Sequence, residues 1–172
     1  MVEMSIYGVS FDLVGKQPIV LLKTAEGNRY LPIWIGHSEA AAILMKLQGA
    51  TAPRPLTHDL LVNMLGELDV EIVRVTVTEL RENTFHASIT IAQNGNEVEI
   101  DSRSSDAIAV AVRAHAPIFA ADEVIEESAI EMEGDEVNEE EIVDEFRRFL
   151  DKVSAEDFAE VEDGEEAAPE DD

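Results

Sequence analysis

Thr84-Phe85-His86-Ala87-Ser88-Ile89-Thr90-Ile91-Ala92-Gln93-Asn94-Gly95-Asn96-Glu97-Val98-Glu99-Ile100 carries the clearest structural signal in the chain. Phe85, Ala87, Ile89 and Ile91 recur at every second position, the period of a half-buried strand, which predicts a strand over 84–92. Asn94-Gly95 is the pair that a two-residue hairpin prefers, because both positions of its turn need positive φ. A returning strand over Glu97–Ile100 follows, so this part of the sheet is antiparallel. Working outward, Val70, Ile72, Val73, Val75 and Val77 predict a strand upstream. Downstream, Asp101-Ser102-Arg103-Ser104-Ser105-Asp106 opens an apolar run from Ala107 to Val112, a helix from about Ser105 to His115.

The N-terminal third repeats the hairpin logic. Residues 3–14, 18–24 and 29–35 are rich in β-branched and aromatic side chains, with turns at Gly15-Lys16-Gln17-Pro18 and Ala25-Glu26-Gly27-Asn28. Pro32 suits an edge or a strand start, since it has no N–H for a ladder. Ala40, Ile43, Leu44 and Leu47 form a helical stripe ended by Gly49. Arg54-Pro55-Leu56-Thr57-His58-Asp59 opens a second helix, from Thr57 to about Leu65. Pro117-Ile118-Phe119 adds a short extended piece. Three strands, two helices, three strands, a helix and a short strand describe an α+β domain: largely antiparallel sheet with about three helices.

The charge is divided unevenly along the chain. Residues 1–130 hold 9 Lys+Arg and 18 Asp+Glu, a net of -9, whereas residues 131–172 hold 3 and 20, a net of -17. This places a domain boundary near Glu131, with a folded domain over 1–130 and an acidic tail over 131–172. Within the tail, Ile142, Phe146, Phe149, Leu150 and Val153 share one helical face, so an amphipathic helix is expected over about 139–153 and disorder in the remainder. Such a helix is marginal alone and calls for a docking partner, within the molecule or on another protein. The acidic balance argues against a non-specific grip on polyanions. It leaves room for contact to phosphate bridged by a metal, which carboxylates supply. The absence of cysteine excludes disulfides and thiolate metal sites. With no basic-then-apolar start and no apolar run of about 18 residues, a cytoplasmic protein outside the membrane is expected.

The candidate chemistry lies at two helix starts, each carrying arginine, hydroxyl and aspartate where free N–H groups and the positive dipole end can hold an anion. Thr57, Ser104 and Ser105 also suit simple N-caps. Taken as a site, Asp101 and Asp106 would hold a hard cation, with Asp59 or Glu39 in support. His58 would act as general base, and Arg54 and Arg103 would grip phosphate in bidentate fashion. None of these carboxylates falls in a metal-loop spacing. Trp34 belongs more readily in a core or interface than on a base-stacking platform.

Leu31-Pro32-Ile33-Trp34-Ile35-Gly36 with Glu39, then Arg54 through Asp59, then Asn83-Thr84-Phe85, then Asp101-Ser102-Arg103 and Ser105-Asp106-Ala107-Ile108 resemble, in order and spacing, the bifunctional nuclease domain family. The resemblance covers about residues 3–130, and Val143 to Phe158 looks like the C-terminal extensions of actinobacterial members. It implies an α+β domain that assembles into an oligomer of identical chains, and hydrolysis of DNA and RNA with a divalent metal, Mg²⁺ or Mn²⁺. Glu39, Arg54, Thr57, His58, Asp59, Asp101, Arg103, Ser105 and Asp106 match the family's motif positions. Ser104 departs from it, since the family often has proline there, and serine loosens that helix start. The alternative is an oligomeric interaction module whose motif residues knit the fold; Arg54 and Asp101 buried and mutually paired would favour it. A further expectation is that the acidic tail restrains activity by repelling nucleic acid or occupying its site.

Overall fold

The structure is a computed structural model that describes residues 1–12 and 16–131. The amphipathic segment 139–153 and most of the acidic tail lie outside the described residues. Strands β1 (Val2–Asp12), β2 (Gln17–Thr24) and β3 (Arg29–Trp34) come first, followed by helices α1 (His37–Leu47) and α2 (Thr57–Glu67). Strands β4 (Glu71–Arg81), β5 (Thr84–Gln93) and β6 (Asn96–Arg103) lead into α3 (Ser104–Ala114). A short β7 (Ile118–Ala120), helix α4 (Asp122–Ser128) and β8 (Ile130–Glu131) close the domain.

All eight strands form one sheet, in the order β6-β5-β4-β7-β1-β2-β3-β8. The pairing is antiparallel throughout except between β4 and β7, where Val75 lies beside Ile118 and Val77 beside Ala120 in parallel. Strand β7 therefore joins two antiparallel halves, and α3 is the crossover that lets it do so. The Asn94-Gly95 hairpin forms as its sequence demands, with φ of 52° and 82°. The turn from β4 to β5 uses Glu82 and Asn83 at φ of 50° and 59°, the same mirror-image geometry without a glycine to announce it.

The strand patterns are explained by the ladder. The break in alternation at Ile72-Val73 coincides with a register shift between Ile72 and Arg74, an inserted residue that turns the following side chains over. Pro32 lies opposite Leu21 on β2. On its other side β8 pairs only with Arg29 and Tyr30, so proline costs no ladder bond there.

Helix α3 is the hub of the domain, packing on α1, α2, β4 and β5. Ala107, Ile108, Ala109, Val110 and Ala111 are each at most 1% exposed, so this helix is enclosed on all sides. It meets a core of Val20, Leu22, Leu31, Ile33, Ile43, Val75 and Val77. In contrast, α2 contributes no fully buried residue.

The α+β architecture with a largely antiparallel sheet is as expected; beside the three expected helices the described residues hold a fourth, the seven-residue α4, too short to show a stripe. Strand β6 runs on past the expected Ile100 through Asp101 to Arg103, directly into the third helix at Ser104, where that helix is expected. Several expectations are corrected. Thr57 lies inside α2 and Leu56 is its N-cap, while Arg103 rather than a serine stands at the N-cap of α3. Trp34 is 51% exposed and belongs to no core. No helix among the described residues is long and apolar enough to cross a membrane.

Candidate functional site

The two helix starts are built alike. In α2 the third residue, Asp59, accepts the N–H of the N-cap Leu56 at 2.9 Å, one half of a capping box. In α3 the third residue, Asp106, instead takes the side chain of its N-cap. The Arg103 guanidinium donates to Asp106 through Nε at 2.7 Å and Nη2 at 3.1 Å. Both aspartates also lie in a first turn, where the helix dipole favours negative charge.

The second residue of α2 connects the two starts. His58 Nε2 lies 2.8 Å from Asp106 Oδ1, and Arg103 Nη2 reaches back to Glu39 Oε1 on α1 at 3.0 Å. Three helices and the end of β6 thus contribute Glu39, His58, Asp106 and Arg103 to one linked cluster. These four line a pocket of about 430 Å³ whose wall includes Met45, Leu56 and Thr57. Gly36 leaves room for this arrangement: a Cβ there would fall 2.2 Å from Glu39 Oε2.

The protonation of the cluster follows from its contacts. Burial alone would raise the carboxyl of Asp106, but the hydrogen bonds from Arg103 and His58 and their charges outweigh it and hold Asp106 below the usual carboxylate range. An ionised carboxylate only accepts, so the His58 nitrogen facing it carries the hydrogen and Nδ1 is left as the basic atom. Arg103 is held above its ordinary value, first by the hydrogen bond to Asp106. Its side chain is 66% exposed, against 13% for His58.

Asp59 belongs to a different network. It accepts Arg113 Nε at 2.6 Å, and Arg113 also donates to Ala109 O at 2.9 Å and Ala42 O at 3.1 Å. Burial would raise Asp59, yet the Leu56 N–H bond, the Arg113 hydrogen bond and charge, and the charge of Lys46 together lower it. Arg113 is buried and ties α1, α2 and α3 at one point. It escapes sequence reading because a basic residue in the last turn of a helix ordinarily answers the dipole.

The remaining motif residues are placed apart from the cluster. Asp101 is exposed on β6 opposite Ser88, and its carboxylate forms no hydrogen bond or ion pair among the described residues. Asp101 does not line the pocket that Asp106 lines: the strand continues past Asp101, and the helix begins after Arg103. Ser105 is buried and lines a larger pocket, about 790 Å³, with Trp34 and Phe85. Arg54 is exposed and lines a third pocket with Asp59 and Arg113. Arg54 and Asp101 are both exposed and are not paired with each other.

A family model for the bifunctional nuclease domain matches residues 20–133. The chain belongs to the bifunctional nuclease domain family. An uncharacterized protein of Mycobacterium tuberculosis strain H37Rv is 39% identical over 163 residues, spanning 91% of this chain and 97% of the relative. The protein named bifunctional nuclease 1 of Oryza sativa subsp. indica is 28% identical over 103 residues, 58% of this chain and 31% of the relative. That of Arabidopsis thaliana is 28% identical over 105 residues, 59% of this chain and 32% of the relative. The plant members of the family are thus matched over about a third of their length.

A divalent metal has a limited set of donors in this family member. No group of three His, Asp or Glu side chains arranged to hold a metal occurs among the described residues. Glu39 and Asp106 are the only carboxylates of the pocket, and Glu39 Oε2 accepts no hydrogen bond among the described residues. Glu39 and Asp106 are therefore the residues that would hold a small hard cation, one that keeps most of its water.

Proposed function

We propose that the domain hydrolyses phosphodiester bonds of DNA and RNA in the pocket between α1, α2 and α3. The observation that carries this is the His58–Asp106–Arg103 linkage, a base oriented by an ionised carboxylate next to an exposed guanidinium. His58 Nδ1 takes the proton of the attacking water, and Asp106 holds the ring in the tautomer that makes this possible. Arg103 offers Nη1, the guanidinium nitrogen not used by Asp106 and Glu39, to the phosphate, and stabilises charge as it builds on the equatorial oxygens. Glu39 restrains Arg103 from the side of α1.

The pocket carries two carboxylates against one arginine, and a phosphodiester adds a further negative charge. A Mg²⁺ or Mn²⁺ ion held by Glu39 and Asp106 would offset this excess and acidify a bound water. Cleavage of single- and double-stranded DNA and RNA by the full chain, titrated with both metals, tests the proposal. Cleavage that is lost in His58→Ala, while the fold is retained by circular dichroism, supports it. Cleavage undiminished in that variant refutes it.

The proposal extends to self-association. Leu60 and Met64 on α2 and Leu68 at its C-cap follow one another at four-residue spacing and are 52%, 56% and 60% exposed. An apolar stripe of this kind on a helix with no buried residue fits a second copy of the chain. Light scattering of the wild type should give a mass above one chain, and Leu60→Glu/Met64→Glu should lower it. A monomeric wild type removes the oligomer from the reading.

A further inference from the structure

The catalytic pocket has a neighbour of opposite charge. The end of α1, residues 50–55 and the start of α2 enclose a separate pocket of about 340 Å³ that shares Met45 and Leu56 with the wall of the first. Its charged lining is Lys46, Arg54, Arg113 and Asp59, three cations and one carboxylate, a net of +2. The catalytic pocket, with Glu39 and Asp106 against Arg103, has a net of -1 when His58 is neutral. A domain of net charge -9 therefore concentrates positive charge beside its chemistry.

The cations of this second pocket are not spent on the fold alone. Arg113 is committed to Asp59, Ala42 and Ala109, which removes the carboxylate as a competitor. Lys46 and Arg54 form no ion pair among the described residues. Elsewhere Arg74, Arg81 and Arg103 each meet a glutamate or aspartate. Pro53 and Pro55 flank Arg54; their fixed φ, and the extended conformation that Pro55 imposes on the residue before it, limit the backbone positions from which the side chain starts.

We propose that this pocket is a second phosphate subsite, in which Lys46 and Arg54 hold the phosphate of a nucleotide next to the one cleaved. The inference rests on the nuclease reading for its purpose but not for its chemistry. It makes the substrate a strand presenting at least two phosphates across the Met45–Leu56 ridge. Arg54 supplies the planar fork that matches phosphate, and Lys46 supplies a mobile point charge.

Inorganic phosphate is the direct probe. Titrated into the ¹⁵N-labelled full chain, it should shift the amides of Lys46, Arg54 and Asn63 saturably, and these shifts should vanish in Lys46→Gln/Arg54→Gln. A single-stranded oligonucleotide bound to the full-length His58→Ala chain should lose about tenfold in affinity on adding the same two changes. The slope of log K against log salt should fall by about 0.7, the value for one phosphate on a single strand. Absent shifts in this pocket, or an unchanged salt slope, overturn the subsite. Cleavage without these shifts leaves the nuclease reading standing and removes the subsite. Shifts in a chain that cleaves nothing keep the anion site and remove the nuclease reading. The single variant Lys46→Arg, which retains the charge, should keep most of the phosphate response, and an unchanged far-UV circular dichroism spectrum of Lys46→Gln/Arg54→Gln excludes misfolding as the cause of its loss.

Discussion

Arg113→Met is expected to be the most damaging single change outside the apolar core. Methionine keeps the length and packing of the arginine stem but removes three hydrogen bonds, to Asp59, Ala42 and Ala109. The two carbonyls lie within helices α1 and α3 and keep their own helical partners, so the main penalty falls on Asp59. Removing one member of a buried ion pair costs about 3–5 kcal/mol. Asp59 is 33% exposed, so water screens part of that penalty and about 2–4 kcal/mol is expected. Against a total stability of about 5–15 kcal/mol, this is a large fraction. For a domain of this size it lowers Tm by roughly 6–16 °C. Urea unfolding followed by far-UV circular dichroism at pH 7 measures it. Adding Asp59→Asn should then recover part of the loss, since the uncompensated charge disappears while an amide oxygen can still accept the Leu56 N–H. The reasoning is refuted if Arg113→Met costs less than about 1 kcal/mol, below the value of a single charged hydrogen bond, or if Asp59→Asn deepens the loss.

His58→Ala should lower cleavage by about 10²–10⁴-fold, the usual worth of a positioned general base, and Asp106→Asn should lower it as well by losing the tautomer; steady-state rates on a single-stranded substrate give both. Gly36→Ala should push the Glu39 carboxylate off Arg103, because its Cβ would stand 2.2 Å from Oε2; the off-rotamer glutamate costs about 0.5–1.5 kcal/mol, and a KM for substrate identical to wild type would contradict this. Asp59 and Asp106 are both held below the ordinary carboxylate value. Their contribution to stability is therefore complete above the unfolded-state value of about 3.9 and is lost as pH falls through the lower folded-state values. Urea midpoints should be little affected by these groups from pH 7 to 5 and decline below about pH 4, with a shallower decline in Asp59→Asn.

The site was partly legible because its members stand at helix starts. Capping chemistry and dipole placement select Asp59 and Asp106, and the motifs put His58 and Arg103 beside them. Asp101 stands outside the pocket, on β6, for a local reason: polar residues before a helix look alike whether they end a strand or begin the helix. The ladder of β6 against β5 carries pairing through Arg103, and no short-range pattern records where such a ladder stops. Arg113 was invisible for a different reason. Its partners are 54 residues away on α2 and 71 residues away on α1, and its position in the last turn already has an ordinary explanation.

Local patterning in the sequence was enough to specify these elements: alternation wrote β5, Asn94-Gly95 wrote its hairpin, a helical stripe wrote α1, and an apolar run behind a polar start wrote α3. It also settled membership in the family and the uneven division of charge. Only the tertiary structure decided that β7 inserts in parallel between two antiparallel halves, which brings the starts of α2 and α3 together. From that single contact come the His58–Asp106 bond, the Arg103 bridge to Glu39 and the cationic pocket behind them. The physical reason is range. Propensity, periodicity and capping act over a few residues, whereas the site is a meeting of side chains 48 and 64 residues apart, set by which surfaces the buried α3 holds in contact.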